Sequence, residues 1–467
     1  MEDNQNTSHG KTEAEQLRTL QFVKDIRKLT EAEIYKKSLQ DRIWNQRRLD
    51  KIRQNKKVNV LFVCSRPAAW GSLRTVCEAF AADERFNVKI LAIPEKEPLP
   101  GVHYRHNIYS DIGAYDHLSA TAPCRVINGY NRISGKWVDL ADLKPDYVFF
   151  QTPYNNMRPA QYDANDVSTY ARLCYLSYGT FLFAGDFERV VYPMDFFTWV
   201  NFHFYESPLH KAQLDAYYRL QPAHKRPRCV LSGYARFDDT EQYREAESPL
   251  WPRPKGASQR IIWTPRWTTS QNNAHFFDYK DSFLQLCDQN KNIDLVFRPH
   301  PLTFKESVAR AQMTAQQVEE YKNCYKARTN AVLDLRPEYL DTFHSSDVLV
   351  TDISSIMPEY LASGKPLIYC HKENSFNELG ARLAESYYWA RNWDEVVTTL
   401  NMLRNGEDPL REKRLATLRE NYHMPVEGCG NFVKKFIEAD FFGGHPASAA
   451  AGNAAAGEDA GRKGGGE

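Results

Sequence analysis

Two short polar clusters hold the side chains best suited to chemistry. In SSDVLVTDISSIMPEYLASGKPLIYC (345–370), Asp352, Ser354 and Ser355 follow the apolar run 348–350. They precede a segment, 356–363, that reads as a helix ended by Gly364. A helix start presents backbone N–H groups with no partner inside the helix, and its dipole favours an anion there. Two adjacent serines add hydroxyl donors. Ser355 is the expected N-cap, which puts Pro358 at the third helical position, where a missing N–H costs no helical bond. In NIDLVFRPHP (292–301) a strand runs directly into Arg298 and His300. A guanidinium, an imidazole and a serine-lined helix start together suit a phosphate or diphosphate. The plainer alternative is that Asp352, Ser354 and Ser355 only cap a helix and that His300 is held structurally between prolines. Placement favours a ligand site, because both clusters sit at the carboxyl ends of strands expected in one parallel sheet.

RPHP (298–301) followed by TDISSIMPEYLASGKPLIY (351–369) is similar to the two signature stretches of the CDP-glycerol glycerophosphotransferase family. IIWTPRWT (261–268) resembles that family's strand-Pro-Thr-Trp-Arg element in altered order. LSGYARFD (231–238) resembles its Gly-x-Pro-Arg-x-Asp connection, with Ala235 in place of proline. The resemblance implies a GT-B fold, in which two Rossmann-like domains with parallel sheets face a cleft. It implies transfer of a polyol phosphate, glycerol phosphate above all, from a CDP-activated donor to a hydroxyl of a cell-surface glycan or lipid-linked acceptor, with release of CMP. Arg298, His300, Ser354 and Ser355 then hold the diphosphate, with Asp352 beside them, and His300 protonates or hydrogen-bonds the leaving phosphate. Arg266 either reaches a phosphate or lies exposed. Glu359 either meets the nucleotide ribose or is solvated. Gly428 to Asn431 resemble a late turn of the family and read as another phosphate-facing helix start.

One element departs from the family. Its best-known members carry Trp-His-Gly, with a candidate base, where this chain has Ser177, Tyr178 and Gly179. A phenol of pKa about 10 is a poor base at neutral pH. Tyr178, Gly179 and Thr180 are therefore expected on the acceptor side without a base among them. Asp186 and Glu188 are replacements by proximity alone. No Asp-x-Asp motif stands out, and neither a metal nor a cofactor is expected.

The elements that must position these groups follow in order. Residues 1–11 are expected to be disordered. Residues 12–56 read as a basic helical extension whose broken apolar stripe includes Leu17, Leu20 and Val23. Its second half, through residues 36–57, carries nine lysines and arginines against Asp41 and Asp50. A solvated face is the simple reading; contact with anionic lipid, aided by Ile43 and Trp44, is the sharper one. Residues 57–240 form the acceptor-side Rossmann-like domain, opening on VNVLFVC (58–64), with Gly71 and Ser72 at a helix start. Residues 241–259 read as the linker, 260–441 as the donor-binding domain with 374–440 helical, and 442–467 as a disordered tail.

With 467 residues the chain is long enough for two domains, and its net charge of +1 gives no general case for nucleic acid. Nine cysteines without paired spacing fit reduced thiols in the cytoplasm, with possible seating on the inner face of the membrane. Two rivals stay open. A GT-B glycosyltransferase would use a nucleotide-sugar and release UDP or GDP, and a degenerate GT-B protein would bind without turnover.

Overall fold

The computed structural model describes residues 13–97, 108–267, 274–372 and 375–443. The disorder expected for 1–11 and for most of the tail falls outside these residues, as do the side chains of Leu17, Leu20 and Val23. Two parallel sheets form the two Rossmann-like domains. The first comprises β1 (Val58–Cys64), β2 (Phe86–Ala92), β3 (Arg125–Asn128), β4 (Tyr147–Phe150), β5 (Arg172–Leu176), β6 (Phe202–Tyr205) and β7 (Arg228–Leu231), in the order β7-β6-β5-β4-β1-β2-β3. The second comprises β8 (Gln259–Thr264), β9 (Ile293–Phe297), β10 (Ala331–Leu333), β11 (Val348–Thr351), β12 (Leu367–Cys370) and β13 (Tyr388–Ala390), in the order β10-β9-β8-β11-β12-β13. Both orders reverse beside the domain's first strand, which makes the β1/β4 and β8/β11 boundaries the switch points. The central strands are apolar and buried on both faces, as parallel strands under helices must be.

The N-terminal extension is a single helix, α1 (Glu13–Arg53). Trp44, expected beside Ile43 at a lipid surface, is instead buried. It meets Tyr147 and Phe441 edge-on at 5.9 and 6.1 Å, and the Arg172 guanidinium lies 3.7 Å over its ring. Much of the basic half is spent on docking. Lys51 Nζ donates to the buried Asp146 carboxylate at 2.5 Å and Arg47 to the Pro145 carbonyl at 2.7 Å. Lys36 bonds Asn165, Lys37 the carbonyls of Thr198 and His224, and Arg48 that of Phe441. Arg42, Arg53, Lys56 and Lys57 remain exposed.

The chain crosses between domains more than once. Helix α2 (Gly71–Ala81) packs against the last helix of the described chain, which runs Gly428–Phe442. Cys429, Val433 and Ile437 of that last helix are buried in the first domain's core, although the sequence places them in the second domain. Segment 374–440 also contains β13, whose three residues are too few to stand out from the surrounding helical pattern. The expected linker is partly docked on the second domain. Trp251 Nε1 donates to Ser345 Oγ at 2.7 Å, and Arg253 pairs with the buried Asp294.

In the opposite direction, Leu182 and Phe183 leave the first domain and enter the core of the second, beside Ile262 and Tyr369. Backbone bonds hold them there, from Asn377 N–H to the Leu182 carbonyl at 2.9 Å and from Ala184 N–H to the Ser375 carbonyl at 3.0 Å. Leu182 is fully buried, so Leu182→Ala is expected to cost about 2–5 kcal/mol in a denaturant melt of the full chain. A smaller loss would mean that the segment does not lock the domains together.

Candidate active site

The site forms where the second sheet reverses. Thr264 ends β8 and Thr351 ends β11, and their hydroxyls meet at 2.8 Å across the switch point. Pro265 stops β8 and turns out Arg266; β9 turns out Arg298 and His300 in the same way. From the first domain, Arg66 follows β1, Tyr154 follows β4, and Tyr178 and Gly179 follow β5. The two sides meet closely. A Cβ added to Gly179 would lie 3.0 Å from Ser355 Cβ, so glycine is what lets the domains approach here.

Arg266 carries the least committed charge. Its guanidinium makes no ion pair with a described residue, and its buried Nε has no hydrogen-bond partner. Burial pulls its pKa below the ordinary value, with the Asp186 charge opposing that and Arg189 adding to it. Arg298 is differently placed. It pairs with the buried Asp334 at 2.9 Å, and its guanidinium lies 4.5 Å over the Tyr339 ring. The charge expected at Arg298 is thus largely neutralised, and the cation facing the cleft is Arg266.

His300 reaches solvent from the cleft wall. Its Nδ1 accepts the Leu302 N–H at 3.1 Å. The neutral ring that fits this bond carries its proton on Nε2, on the side away from its own backbone turn. Desolvation by the cleft walls, then the charges of Arg266 and Arg66, lower its pKa from 6.5 to about 4. At neutral pH the ring is therefore an uncharged N–H donor.

Ser355 is exposed and Ser354 half-buried at the turn. The helix behind them, α3 (Met357–Leu361), is shorter than expected, with Ile356 rather than Ser355 as N-cap and Pro358 at its second position. The last helix of the described chain is α4 (Gly428–Phe442). Ser354 Oγ receives only a long bond, 3.4 Å, from the Ile356 N–H. The Ser355 hydroxyl makes no hydrogen bond with a described residue and owes its position to the turn after β11.

Several expected ligands prove to be internal supports. Asp352 is 1 % exposed and accepts bonds from Arg266 N–H, His275 N–H and His275 Nδ1 at 3.1, 3.0 and 2.8 Å, which leaves it no surface for a donor molecule. Glu359 is buried, not solvated. Its oxygens accept the hydroxyls of Tyr234 at 2.9 Å and Tyr339 at 2.5 Å, and Arg236 Nε lies 3.9 Å away. Tyr234 and Arg236 come from the β7 connection, so this cluster ties the two domains together. The turn at Gly428 is not open to phosphate, because the Asp238 carboxylate already caps α4, accepting from Cys429 N–H at 2.7 Å and Gly430 N–H at 2.9 Å. The start of α2 is likewise filled by the Arg236 guanidinium, which lies where a side chain at Gly71 would be.

On the acceptor side, the Tyr178 and Tyr154 hydroxyls are 2.9 Å apart. Burial, and then Tyr154, push the Tyr178 phenol far above its ordinary pKa. Thr180 is buried, beside Tyr422. The Asp186 oxygens accept the Phe183 N–H and the Arg189 guanidinium, each at 2.9 Å, and Glu188 is exposed. Arg66, held by Glu95 at 2.6 Å, lies outside the motifs read from the sequence, whereas Tyr154 closes the strand end 147–154 that the family resemblance places at the cleft. For Arg66 the position just past a strand end was the available signal.

Residues 219–376 match the family model described as CDP-glycerol:poly(glycerophosphate) glycerophosphotransferase. No curated protein matches the chain. Among solved structures, a variant of the wall teichoic acid polymerase TagF is similar in fold, covering 92 % of this chain and 98 % of that one.

 For that pair the sequence identity is 14 % and the TM-score 0.51. MnaA of S. aureus in a co-structure with UDP gives 13 % identity and a TM-score of 0.52 over 82 % of this chain and 96 % of that one. UDP-GlcNAc 2-epimerase from Neisseria meningitidis, bound to UDP-GlcNAc, gives 15 % and 0.50 over 82 % and 98 %. At such identities the likeness is one of fold. The matched segment 219–376 contains Arg266, His300, Ser354 and Ser355, so the likeness to that family model falls on the residues of this site.

Proposed function

We propose that this protein transfers a polyol phosphate, glycerol phosphate first, from a CDP-activated donor to a hydroxyl of a cell-surface glycan or lipid-linked acceptor, releasing CMP. One observation carries the reading. The Arg266 guanidinium, which makes no ion pair among the described residues, the neutral His300 ring and the exposed Ser355 follow β8, β9 and β11 at one end of the second sheet, inside the segment that matches the family.

In this scheme the acceptor oxygen bonds to the β-phosphorus while the bond from that phosphorus to the bridging oxygen breaks. Negative charge grows on the departing CMP, where Arg266 and the Nε2–H of His300 stabilise it. Ser354 and Ser355 hydrogen-bond the non-bridging oxygens. A loose phosphoryl-transfer transition state demands little of a base, so the acceptor hydroxyl gives up its proton late, to a phosphate oxygen or to water, which suits an acceptor wall that carries Tyr178 in place of histidine. Tyr178→Phe is accordingly expected to keep at least about a tenth of wild-type turnover, since one neutral hydrogen bond contributes about 0.5–1.5 kcal/mol. A loss of three orders of magnitude in CMP release would make the phenol a direct participant.

The test of the reading is nucleotide release from CDP-glycerol, CDP-ribitol and UDP-, GDP- and CMP-sugars, with a crude membrane fraction as acceptor. CMP from a CDP-polyol supports it. UDP or GDP release would replace it with glycosyl transfer, a reading favoured by the fold shared with UDP-bound proteins. Nucleotide binding without release would favour a non-catalytic protein, for which the Tyr178 replacement is the argument.

A cytoplasmic location, seated on the membrane's inner face, fits a lipid-linked acceptor. No helix among the described residues is long and apolar enough to cross a membrane. The exposed Arg42, Arg53, Lys56 and Lys57, with Ile43, are the side chains left for anionic headgroups.

A further inference from the structure

We propose that Asp352 and His275 are positioning residues for Arg266, setting its reach toward the donor without touching the donor themselves. The inference rests on the reading of Arg266 as the diphosphate-binding cation.

The Asp352 carboxylate sits at the end of β11, between the end of β8 and the start of the helix that follows it in sequence. Asp352 Oδ2 accepts two backbone N–H groups at once, from Arg266 at 3.1 Å and His275 at 3.0 Å. A single oxygen thus holds the residue that follows Pro265 at the end of β8 and the residue that precedes the next helix. Asp352 Oδ1 binds His275 Nδ1 at 2.8 Å, and the imidazole stacks on Tyr279 at 4.7 Å between ring centroids. Lys372 Nζ adds a bond to the Ala274 carbonyl at 2.8 Å and an ion pair to Asp278 at 2.6 Å. Both Asp352 and His275 are at least nine-tenths buried, at 1 % and 3 % exposed.

A carboxylate buried this deeply requires its hydrogen bonds, since leaving it without partners is costly. Here the partners are the loop's own backbone, which fixes the Cα from which the Arg266 side chain extends. Arg266 has no ion pair among the described residues to orient it, and its backbone N–H is anchored by Asp352. Asparagine at 352 keeps one oxygen for the two backbone N–H groups but removes the charge and the acceptor that faces His275 Nδ1. Alanine at 275 would remove the side-chain donor, whereas asparagine at 275 keeps an N–H near the Nδ1 position.

The test measures the Kd for CDP-glycerol by calorimetry on the full chain, for Asp352→Asn, His275→Ala, His275→Asn and Arg266→Ala, and for the first two combined with Arg266→Ala. Asp352→Asn and His275→Ala are each expected to weaken binding about tenfold, and His275→Asn to restore most of it. Neither is expected to weaken binding further once Arg266 is alanine, whereas a general loss of structure would add to that variant. Equal losses in both backgrounds, or no loss beside a weakened Arg266→Ala, overturn the proposal alone. Unchanged binding in Arg266→Ala overturns the donor reading beneath it. Should Asp352→Asn fail to fold, the His275 series gives the same decision.

Discussion

His300→Ala is expected to lower kcat for CMP release by about 10²–10³-fold, the span of a lost preorganised hydrogen-bond donor, with a much smaller change in donor affinity. The expectation comes from what the ring can offer. Its Nδ1 already accepts a backbone N–H, so the group left for the substrate is Nε2–H. A donor of that kind gains strength as charge develops on the leaving phosphate, and an interaction stronger in the transition state than in the ground state acts on kcat.

The pH dependence follows with its sign. The pKa of His300 is lowered from 6.5 to about 4, by desolvation first and then by Arg266 and Arg66, so the free enzyme holds a neutral ring throughout the interval between those values. Activity through a neutral N–H donor should therefore stay level in kcat/KM as pH rises from about 5 to 8, and fall only on the acid side as the ring protonates. The linked stability has the same direction. A histidine whose folded pKa is depressed binds fewer protons folded than unfolded between 4 and 6.5, so its contribution is complete above 6.5 and is lost as pH falls through that window. A steady decline in kcat/KM above pH 6.5 would show instead that the imidazolium is the working form. An unchanged kcat in His300→Ala would remove the residue from the mechanism.

Arg266→Ala is expected to weaken CDP-glycerol binding by about 1.5–3 kcal/mol, roughly 10- to 150-fold in Kd, the usual range for a hydrogen bond to a charged group. Arg266→Lys should recover part of this, because it returns the charge without the planar fork that meets two phosphate oxygens. Arg298→Ala makes the informative comparison. That guanidinium is already bonded to Asp334 and stacked on Tyr339, so its removal leaves a buried carboxylate short of one partner. The loss there should fall mainly on thermal stability. If Arg298→Ala weakens the donor more than Arg266→Ala at equal stability, the assignment of the two arginines is reversed.

Much of the fold was legible in the residues themselves. Near-continuous apolar strands such as 58–64 and 293–297, separated by amphipathic segments, imply parallel sheets under helices, and two such sheets are present. The polar strand ends were legible for a related reason. A parallel strand presents its carboxyl end to the ligand side, so Arg266, His300 and Ser355 announce themselves by following an apolar run.

What stayed hidden depends on contacts between distant parts of the chain. Asp352, Glu359 and Arg298 are charged residues beside phosphate-like motifs, and their order in the sequence cannot distinguish a ligand from a support. Burial decides it, through His275 for Asp352, Tyr234 and Tyr339 for Glu359, and Asp334 for Arg298. Trp44 and the basic side chains around it were equally ambiguous, since an interfacial helix and a docked one share a composition. The partner surface, with Asp146 and Tyr147, settles that case. The last helix joined the first core, and Leu182 the second, because apolar side chains are buried wherever a matching cavity lies in space. Local pattern thus determined the strands, their ends and the kinds of chemistry available there. Tertiary structure alone decided which charges are free to meet a substrate, because a charge is neutralised by whichever partner folding brings beside it, and sequence distance places no limit on that.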